Sequence, residues 1–229
     1  MLRMKGPMLR SNLANIFLVE DHPVVRQCLR AVLNQELKLK ICGEAEQTKG
    51  TISKIQETDP DLVILDISLQ ASSGFDLIKE IRAKCPKTRV LVFSMHDEKL
   101  YAERCMRAGA SGYVMKREST EKLLDAIDAV LEGKTSVSET IMTMLAQKLF
   151  SGRKSEEGGR PNNLSDRELV ILNLLGEGLP SRKIAQNLNI NVKTVHAHCA
   201  NIKEKLGLST ARELLREATK WHDTNSEFG

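Results

Sequence analysis

The chain has 229 residues, enough for one large domain or two ordinary ones, and its 41% hydrophobic and 28% charged residues suit a soluble globular protein. Aromatic residues make up only 3%, too few for a base-stacking platform on single-stranded nucleic acid, and no apolar run approaches the roughly 18 residues that cross a bilayer. The formal net charge is +4, and the 5 cysteines include no C-x-x-C pair, which fits reduced thiols in the cytoplasm and excludes a disulfide framework.

Residues 1–13, MLRMKGPMLRSNL, are basic and read as a disordered lead. The apolar run 16–19 that follows is too short for a signal-peptide core and leads straight into acid. From there short apolar runs alternate with amphipathic segments. Strands are predicted at 16–19, 39–45, 62–65, 90–93 and 112–115, and helices at 23–35, 48–58, 74–84, 97–108 and 119–132. Strand-then-helix repetition of this kind predicts a parallel sheet covered on both faces. A further helix, 139–150, leads into SGRKSEEGGRPNN at 151–163, which has no apolar residue and reads as a flexible linker. Beyond it only helices are predicted, at 165–176, 181–188, 192–206 and 209–220. The domain boundaries are therefore 14–135, a linker helix and linker over 136–163, a helical domain over 164–222, and a tail over 223–229.

Charge is uneven along the chain. Residues 14–150 hold 19 basic and 20 acidic side chains, and residues from 164 onward hold 9 and 8. Within 182–205, however, Arg182, Lys183, Lys193, Lys203 and Lys205 face only Glu204. The basic character is a patch, placed on the third helix of the second domain and the helix before it.

The first domain's strands end on polar residues. Strand one runs into Glu20 and Asp21, strand three into Asp66, strand four into Ser94 and strand five into Lys116. In an open parallel sheet the carboxyl ends of the strands share one edge, where ligands bind. Three convergent carboxylates repel one another and are harder to ionise. A divalent cation with few protein oxygens, Mg²⁺ above all and Mn²⁺ as an alternative, resolves that conflict. The set then suits phosphoryl transfer onto a carboxylate, with Asp66 as nucleophile, Glu20 and Asp21 holding the metal, and Lys116 and Ser94 taking the remaining phosphoryl charge.

The segments FLVEDHPVVRQCLR, DLVILDISL, VLVFSMHD and ASGYVMK resemble the receiver domain of bacterial two-component response regulators. That resemblance implies a flavodoxin-like α/β fold with strand order 2-1-3-4-5 and the phosphoacceptor at Asp66. It also implies an acidic metal pair at Glu20 and Asp21, a third protein ligand in the main-chain carbonyl of Ser68, a switch hydroxyl on Ser94, a switch aromatic at Tyr113 and the lysine at Lys116. Gly74 matches the family's loop. Gln70 stands where the family usually has proline, and Cys28 where glycine is common.

In the second domain Ser165 and Glu168 have the spacing of a capping box, and Val195, Ile202 and Leu206 recur at helical spacing behind Asn191. Two helices joined by a tight turn, the second exposing Lys193, His196, His198 and Lys203, have helix-turn-helix form. The His196-x-His198 pair has no further ligand nearby at a zinc spacing. The motifs L-S-x-R-E, G-x-x-x-x-x-I-A-x-x-L, K-T-V-x-x-H and I-x-x-K-L-G resemble the all-α, four-helix DNA-binding domain of NarL/LuxR-type transcription factors. The resemblance implies that helix 192–206 enters the major groove. Lys193, Thr194, His198 and Lys205 would meet phosphates or support the helix, His196, Ala197 and Ala200 would face base edges, and Arg182, Lys183 and Lys203 would add to the interface. It further implies dimerisation through Leu214, Leu215 and Ala218, and an inverted-repeat operator in double-stranded DNA. His196 and Cys199 depart from the residues common there, so base preference does not transfer.

The reading is a cytoplasmic, phosphorylation-controlled transcription regulator without a membrane partner. A histidine kinase is its phosphodonor, it forms a homodimer when phosphorylated, and RNA polymerase is a further partner. It is no enzyme beyond promoting its own phosphotransfer and dephosphorylation. Two rival readings fit the residues less well. A Mg²⁺-dependent phosphatase of haloacid-dehalogenase type needs a second Asp where Ser68 stands. A constitutive DNA-binding protein would not need the full set Glu20, Asp21, Asp66, Ser94 and Lys116.

Overall fold

The computed structural model describes residues 13–67, 69, 74–150, 164–188 and 190–226. The lead 1–12, the linker 151–163, and Ser68 and Gln70 of the loop after Asp66 lie outside these residues.

Five parallel strands, β1 (Ala14–Val19), β2 (Leu39–Ala45), β3 (Leu62–Leu65), β4 (Arg89–Ser94) and β5 (Gly112–Met115), form one sheet in the order β2-β1-β3-β4-β5. Between them run α1 (Pro23–Leu33), α2 (Thr51–Thr58), α3 (Gly74–Lys84) and α4 (Glu98–Ala108), and α5 (Thr120–Leu131) follows β5. The period of two along each strand sorts the apolar residues into two cores. Phe17, Val19, Val63, Leu65, Val90, Val92, Tyr113 and Met115 face α2, α3 and α4 through Ile55, Phe75, Ile78, Tyr101 and Cys105. Ile16, Leu18, Leu62, Ile64, Leu91, Phe93 and Val114 face α1 and α5 through Leu29, Leu33, Leu123, Ile127 and Val130. Each such side chain, fully buried, contributes about 1.5–3 kcal/mol of transfer free energy.

Most differences from the predicted spans lie at helix ends. Asp97, Ser119 and Ser165 fall just outside their helices because each is an N-cap whose side chain accepts a backbone N–H. Two larger differences concern the linker. Ser136 forms a bridge to Gly112 on β5, its N–H donating to Ser111 O, so the chain stays on the sheet past residue 135. The helix over 139–150, α6 (Glu139–Phe150), packs on α4: Ile141 is buried and Ser138 Oγ bonds Glu98 Oε1 at 2.6 Å.

The last four helices are α7 (Asp166–Gly176), α8 (Ser181–Asn187), α9 (Val192–Leu206) and α10 (Ala211–Ser226). They enclose Leu169, Leu172, Ile184, Leu188, Val195, Ile202, Leu206, Leu214 and Ala218. α10 begins two residues later than predicted because Glu213 and Thr210 cap its start, and it continues through residues assigned to the tail. α7 and α10 touch at Gly176, where an added Cβ would lie 2.5 Å from Ala218 O. The buried apolar residues of α4, α6 and α7 form one continuous cluster, and Arg104 Nη1 on α4 donates to Leu164 O at 3.2 Å.

One irregularity of the sheet has no signal in the sequence. Pairing of β1 with β2 skips Cys42, since Ile16 pairs Ile41 and Phe17 pairs Gly43. A Cβ on Gly43 would lie 2.5 Å from the Phe17 ring, which is 1% exposed and cannot retreat. Gly43→Ala is expected to destabilise the protein by about 1–3 kcal/mol. Urea unfolding checks this: the midpoint should fall at constant m.

Candidate functional site

The backbone ladder carries the sheet one residue beyond the strands and levels the polar groups. Glu20 N donates to Ala45 O (3.0 Å), Asp66 N to Val19 O (2.9 Å) and Lys116 N to Ser94 O (2.8 Å). Glu20, Asp66 and Ser94 are buried, at 1%, 2% and 0% exposure. The four strand ends that the sequence marked therefore share one edge.

Lys116 Nζ lies between two of the carboxylates, 2.7 Å from Glu20 Oε2 and 2.8 Å from Asp66 Oδ2. Burial opposes the Lys116 charge, but the Asp66 and Glu20 carboxylates outweigh it and raise the ammonium above the ordinary lysine value. Burial raises the Glu20 carboxyl, Asp66 adds to the rise, and Lys116 only partly offsets it. One ammonium thus serves two carboxylates, with Asp21 beside them. Glu20, Asp21, His22 and Asp66 each offer a ligand atom within 4.8 Å of the others. An oxygen-rich set with surplus negative charge fits a hard divalent cation.

Two neighbours in this edge were not singled out from the sequence. His22 follows the acidic pair directly, and its Nδ1 lies 2.7 Å from Asp21 Oδ1 and 3.2 Å from Glu20 Oε1. His96 stands two residues past Ser94. Its N–H donates to Ser94 Oγ (3.3 Å), its carbonyl accepts from Tyr113 Oη (2.8 Å), and its ring stacks on Tyr101 with centroids 4.7 Å apart. Burial holds the His96 imidazole below the ordinary histidine value. Its Nε2 is buried without a hydrogen-bond partner. Tyr113 is already turned inward, at 2% exposure, and burial pushes its phenol well above the ordinary value.

In the helical domain Asn191 caps α9 through Lys193 N (2.9 Å), and Val195, Ile202 and Leu206 bury one face. Lys193, Thr194, His196, Ala197 and Ala200 are exposed on the other, as are Arg182 and Lys183 on α8, while His198 and Lys203 are half-buried. Lys205 is committed elsewhere: its Nζ pairs with Glu168 Oε2 at 2.6 Å, and Glu168 also accepts from Ser165 N (2.7 Å). The capping box of α7 thereby anchors α9, a long-range pairing that the local motif could not reveal. Leu214 (4% exposed) and Ala218 (0%) lie in the chain's own core, which leaves Leu215, at 48%, as the exposed member of the predicted trio. Arg167, the arginine of the L-S-x-R-E motif, donates to Leu188 O (2.9 Å). Burial lowers its guanidinium, against the pull of the Asp21 carboxylate.

Residues 16–128 match the response regulator receiver domain, and residues 162–218 match the bacterial regulatory proteins of the luxR family. The oxygen regulatory protein NreC of Staphylococcus aureus is 33% identical over 90% of this chain and 96% of its own. This chain is a response regulator of the NarL/LuxR type. As such it is a phosphorylation-controlled, DNA-binding regulator of transcription. Among solved structures, RcsB from Salmonella enterica serovar Typhimurium, bound to promoter rprA with the phosphomimetic BeF₃⁻, is 26% identical. It covers 91% of this chain and 99% of its own, with a TM-score of 0.58. Two RcsB dimers bound to two parallel DNAs are similar at 26% identity, 90% and 97% coverage, and a TM-score of 0.55.

The Glu168–Lys205 pair yields a prediction. Burial alone would raise the Glu168 carboxyl, but Lys205 and the Ser165 N–H bonds outweigh it and hold it below the ordinary 4.5. A depressed folded-state value contributes stability above the unfolded-state value, and that stability is lost as pH falls through the folded one. Lys205→Ala, discounted for the 39% exposure of the lysine, is expected to cost about 1–2 kcal/mol at neutral pH. Urea titrations at pH 7 and below 4.5 check it: the difference between wild type and variant should shrink in acid.

Proposed function

We propose that Asp66 accepts the phosphoryl group of a histidine kinase and that the resulting charge, read through Ser94 and His96, loosens the contact of α4 with the DNA-binding domain, whose exposed α9 surface meets DNA. Lys116, held by two carboxylates at 2.7 and 2.8 Å, is the observation that carries this reading. An Asp66 oxygen attacks phosphorus, the phosphorus–nitrogen bond of the donor's phosphohistidine breaks, and its imidazole leaves with the electron pair and takes up a proton. The Asp66 oxygen bonded to Lys116 is thereby paired in advance with a cation, and the ammonium follows the charge onto the phosphoryl oxygens. Glu20, Asp21, Asp66 and the Ser68 carbonyl would hold Mg²⁺, with Mn²⁺ as the alternative. When bound, the metal neutralises phosphoryl oxygens. Ser94 Oγ donates its proton to one of those oxygens.

Moving Ser94 Oγ toward the phosphoryl group releases His96 N–H. Since Tyr113 is already inward, the change passes through the His96 carbonyl, the Tyr113 hydroxyl and the Tyr101 ring to α4, rather than through an inward swing of Tyr113. α4 carries Arg104, whose bond to Leu164 joins it to the DNA-binding domain, so a shift of α4 loosens that contact. The exposed basic and small residues of α9 support insertion into the major groove. Lys193, Thr194, Arg182 and Lys183 meet phosphates, with half-buried Lys203 and His198 at the margin, and His196, Ala197 and Ala200 face base edges. Lys205 acts by holding α9 in place. A symmetric dimer on an inverted repeat is supported by the RcsB dimers on DNA and by the exposed Leu215. No described helix is long and apolar enough to cross a membrane, and the cytoplasm, with RNA polymerase as a further partner, is the proposed setting. The working unit is a receiver over 14–135, a linker over 136–163 and a DNA-binding domain over 164–222.

Acetyl phosphate labelling with and without Mg²⁺ tests the first half. Mg²⁺-dependent, acid-stable label should appear in the wild type, vanish in Asp66→Asn, and be accompanied by tighter promoter binding. No label on the wild type would sink the reading. For the second half, Lys193→Ala should weaken binding to all DNA sequences. It should also lower the slope of log K against log[salt] by about one phosphate contact, roughly 0.9. Fluorescence anisotropy across a salt series measures it, and an unchanged slope removes Lys193 from the phosphate contacts.

A further inference from the structure

His22 stands at the mouth of the acidic edge in a way that its neighbours explain. Glu20 and Asp66 each give one oxygen to Lys116, and Glu20 Oε1, the other Glu20 oxygen, accepts from His22 N–H at 3.1 Å. The same Oε1 lies 3.2 Å from His22 Nδ1, and Asp21 Oδ1 lies 2.7 Å from it. The backbone fixes this orientation: His22 is the extended N-cap of α1 at φ −81° and ψ 112°, followed by Pro23 in the first turn. Its side chain makes no cap bond to the helix and is 61% exposed, so the ring is used neither for capping nor for packing. Nδ1, rather than the outer nitrogen, is turned to the two carboxylates whose third neighbour is Asp66. All four side chains bring a ligand atom within 4.8 Å of one another.

We propose that His22 Nδ1 is a nitrogen ligand of the metal centre when a transition dication occupies it, making it a mixed oxygen–nitrogen site that takes Mn²⁺ and Co²⁺ as well as Mg²⁺. The inference deepens the phosphorylation-site reading and rests on it. Imidazole adds affinity for transition dications and little for Mg²⁺, which keeps oxygen donors and water. In the metal-free state Nδ1–H donates to a carboxylate. In the loaded state the ring takes the other tautomer, with its proton on the exposed Nε2, where water accepts it. No bond is made or broken beyond that proton shift. Glu20 Oε1, freed from the imidazole N–H, and Asp21 Oδ1 beside it turn to the cation.

The test uses the full, tag-free chain in a nitrogen-free buffer with Mn²⁺ alone, read by electron paramagnetic resonance and electron spin-echo envelope modulation. The wild type should bind Mn²⁺ and show ¹⁴N coupling, which changes to ¹⁵N coupling in protein grown with [¹⁵N]histidine. His22→Ala should lose the coupling and bind Mn²⁺ about tenfold more weakly. The exposed, uncapped position of His22 lets this variant fold, and circular dichroism confirms that it has. Mn²⁺ bound in the wild type and lost in Asp66→Asn, but without nitrogen coupling, overturns the role of His22 and leaves the phosphorylation site standing. Mn²⁺ and Mg²⁺ both failing to bind the wild type overturns both.

Discussion

A single ammonium bonded to two buried carboxylates organises this molecule. Lys116 is carried by the last strand, Glu20 by the first and Asp66 by the third, so their ion pairs tie three strands together at the edge where the backbone ladder runs out. Burying charge is costly unless partners are close and geometry is good. Here that demand is met, but incompletely: Glu20 remains harder to ionise than an ordinary glutamate, because one lysine cannot satisfy both acids and Asp21 lies beside them. The edge is left short of positive charge. A divalent metal answers that shortage, and a phosphoryl group can then join the edge, which is why the chemistry collects there.

The same edge is mechanically connected to the rest of the chain. Ser94 touches the backbone of His96, and the His96 ring and carbonyl engage Tyr101 and Tyr113. Tyr101 belongs to α4, the helix that carries α6 on one side and meets Leu164 through Arg104 on the other. A change of a few tenths of an ångström at Ser94 therefore acts on packed aromatic rings. Packed cores respond to such changes by switching between arrangements rather than deforming smoothly.

How much of this was legible in the sequence depends on whether the signal was local. The strand ends Glu20, Asp66, Ser94 and Lys116 and the caps at Ser165 and Asn191 follow from patterns a few residues long, the sheet order follows from the receiver resemblance, and the structure has them all. The apolar run in DLVILDISL reads as a buried strand with a carboxylate at its end, and Asp66 is 2% exposed. What was missed depends on which distant side chains meet. Lys205 reads as a free cation until Glu168, 37 residues away, is found beside it. Leu214 and Ala218 read as an exposed stripe until α7 covers them, the close approach at Gly176 being invisible in a helical wheel. Likewise Phe17 and Gly43 are unremarkable separately, and only their pairing across β1 and β2 shows that the Phe17 ring takes the space of a side chain at 43.

The docking of α6 on α4 also fixes the point from which the DNA-binding domain is tethered. Thirteen residues, 151–163, separate the end of α6 from Leu164, so Leu164 can never lie farther than roughly 50 Å from Phe150. Within that radius each half sees the other at an effective concentration in the millimolar range. Even a weak contact such as Arg104 with Leu164 is then populated without any partner in solution. A bias of about 1.4 kcal/mol changes its occupancy ratio tenfold, so a small change at the phosphorylated edge is enough to alter how often the two halves touch.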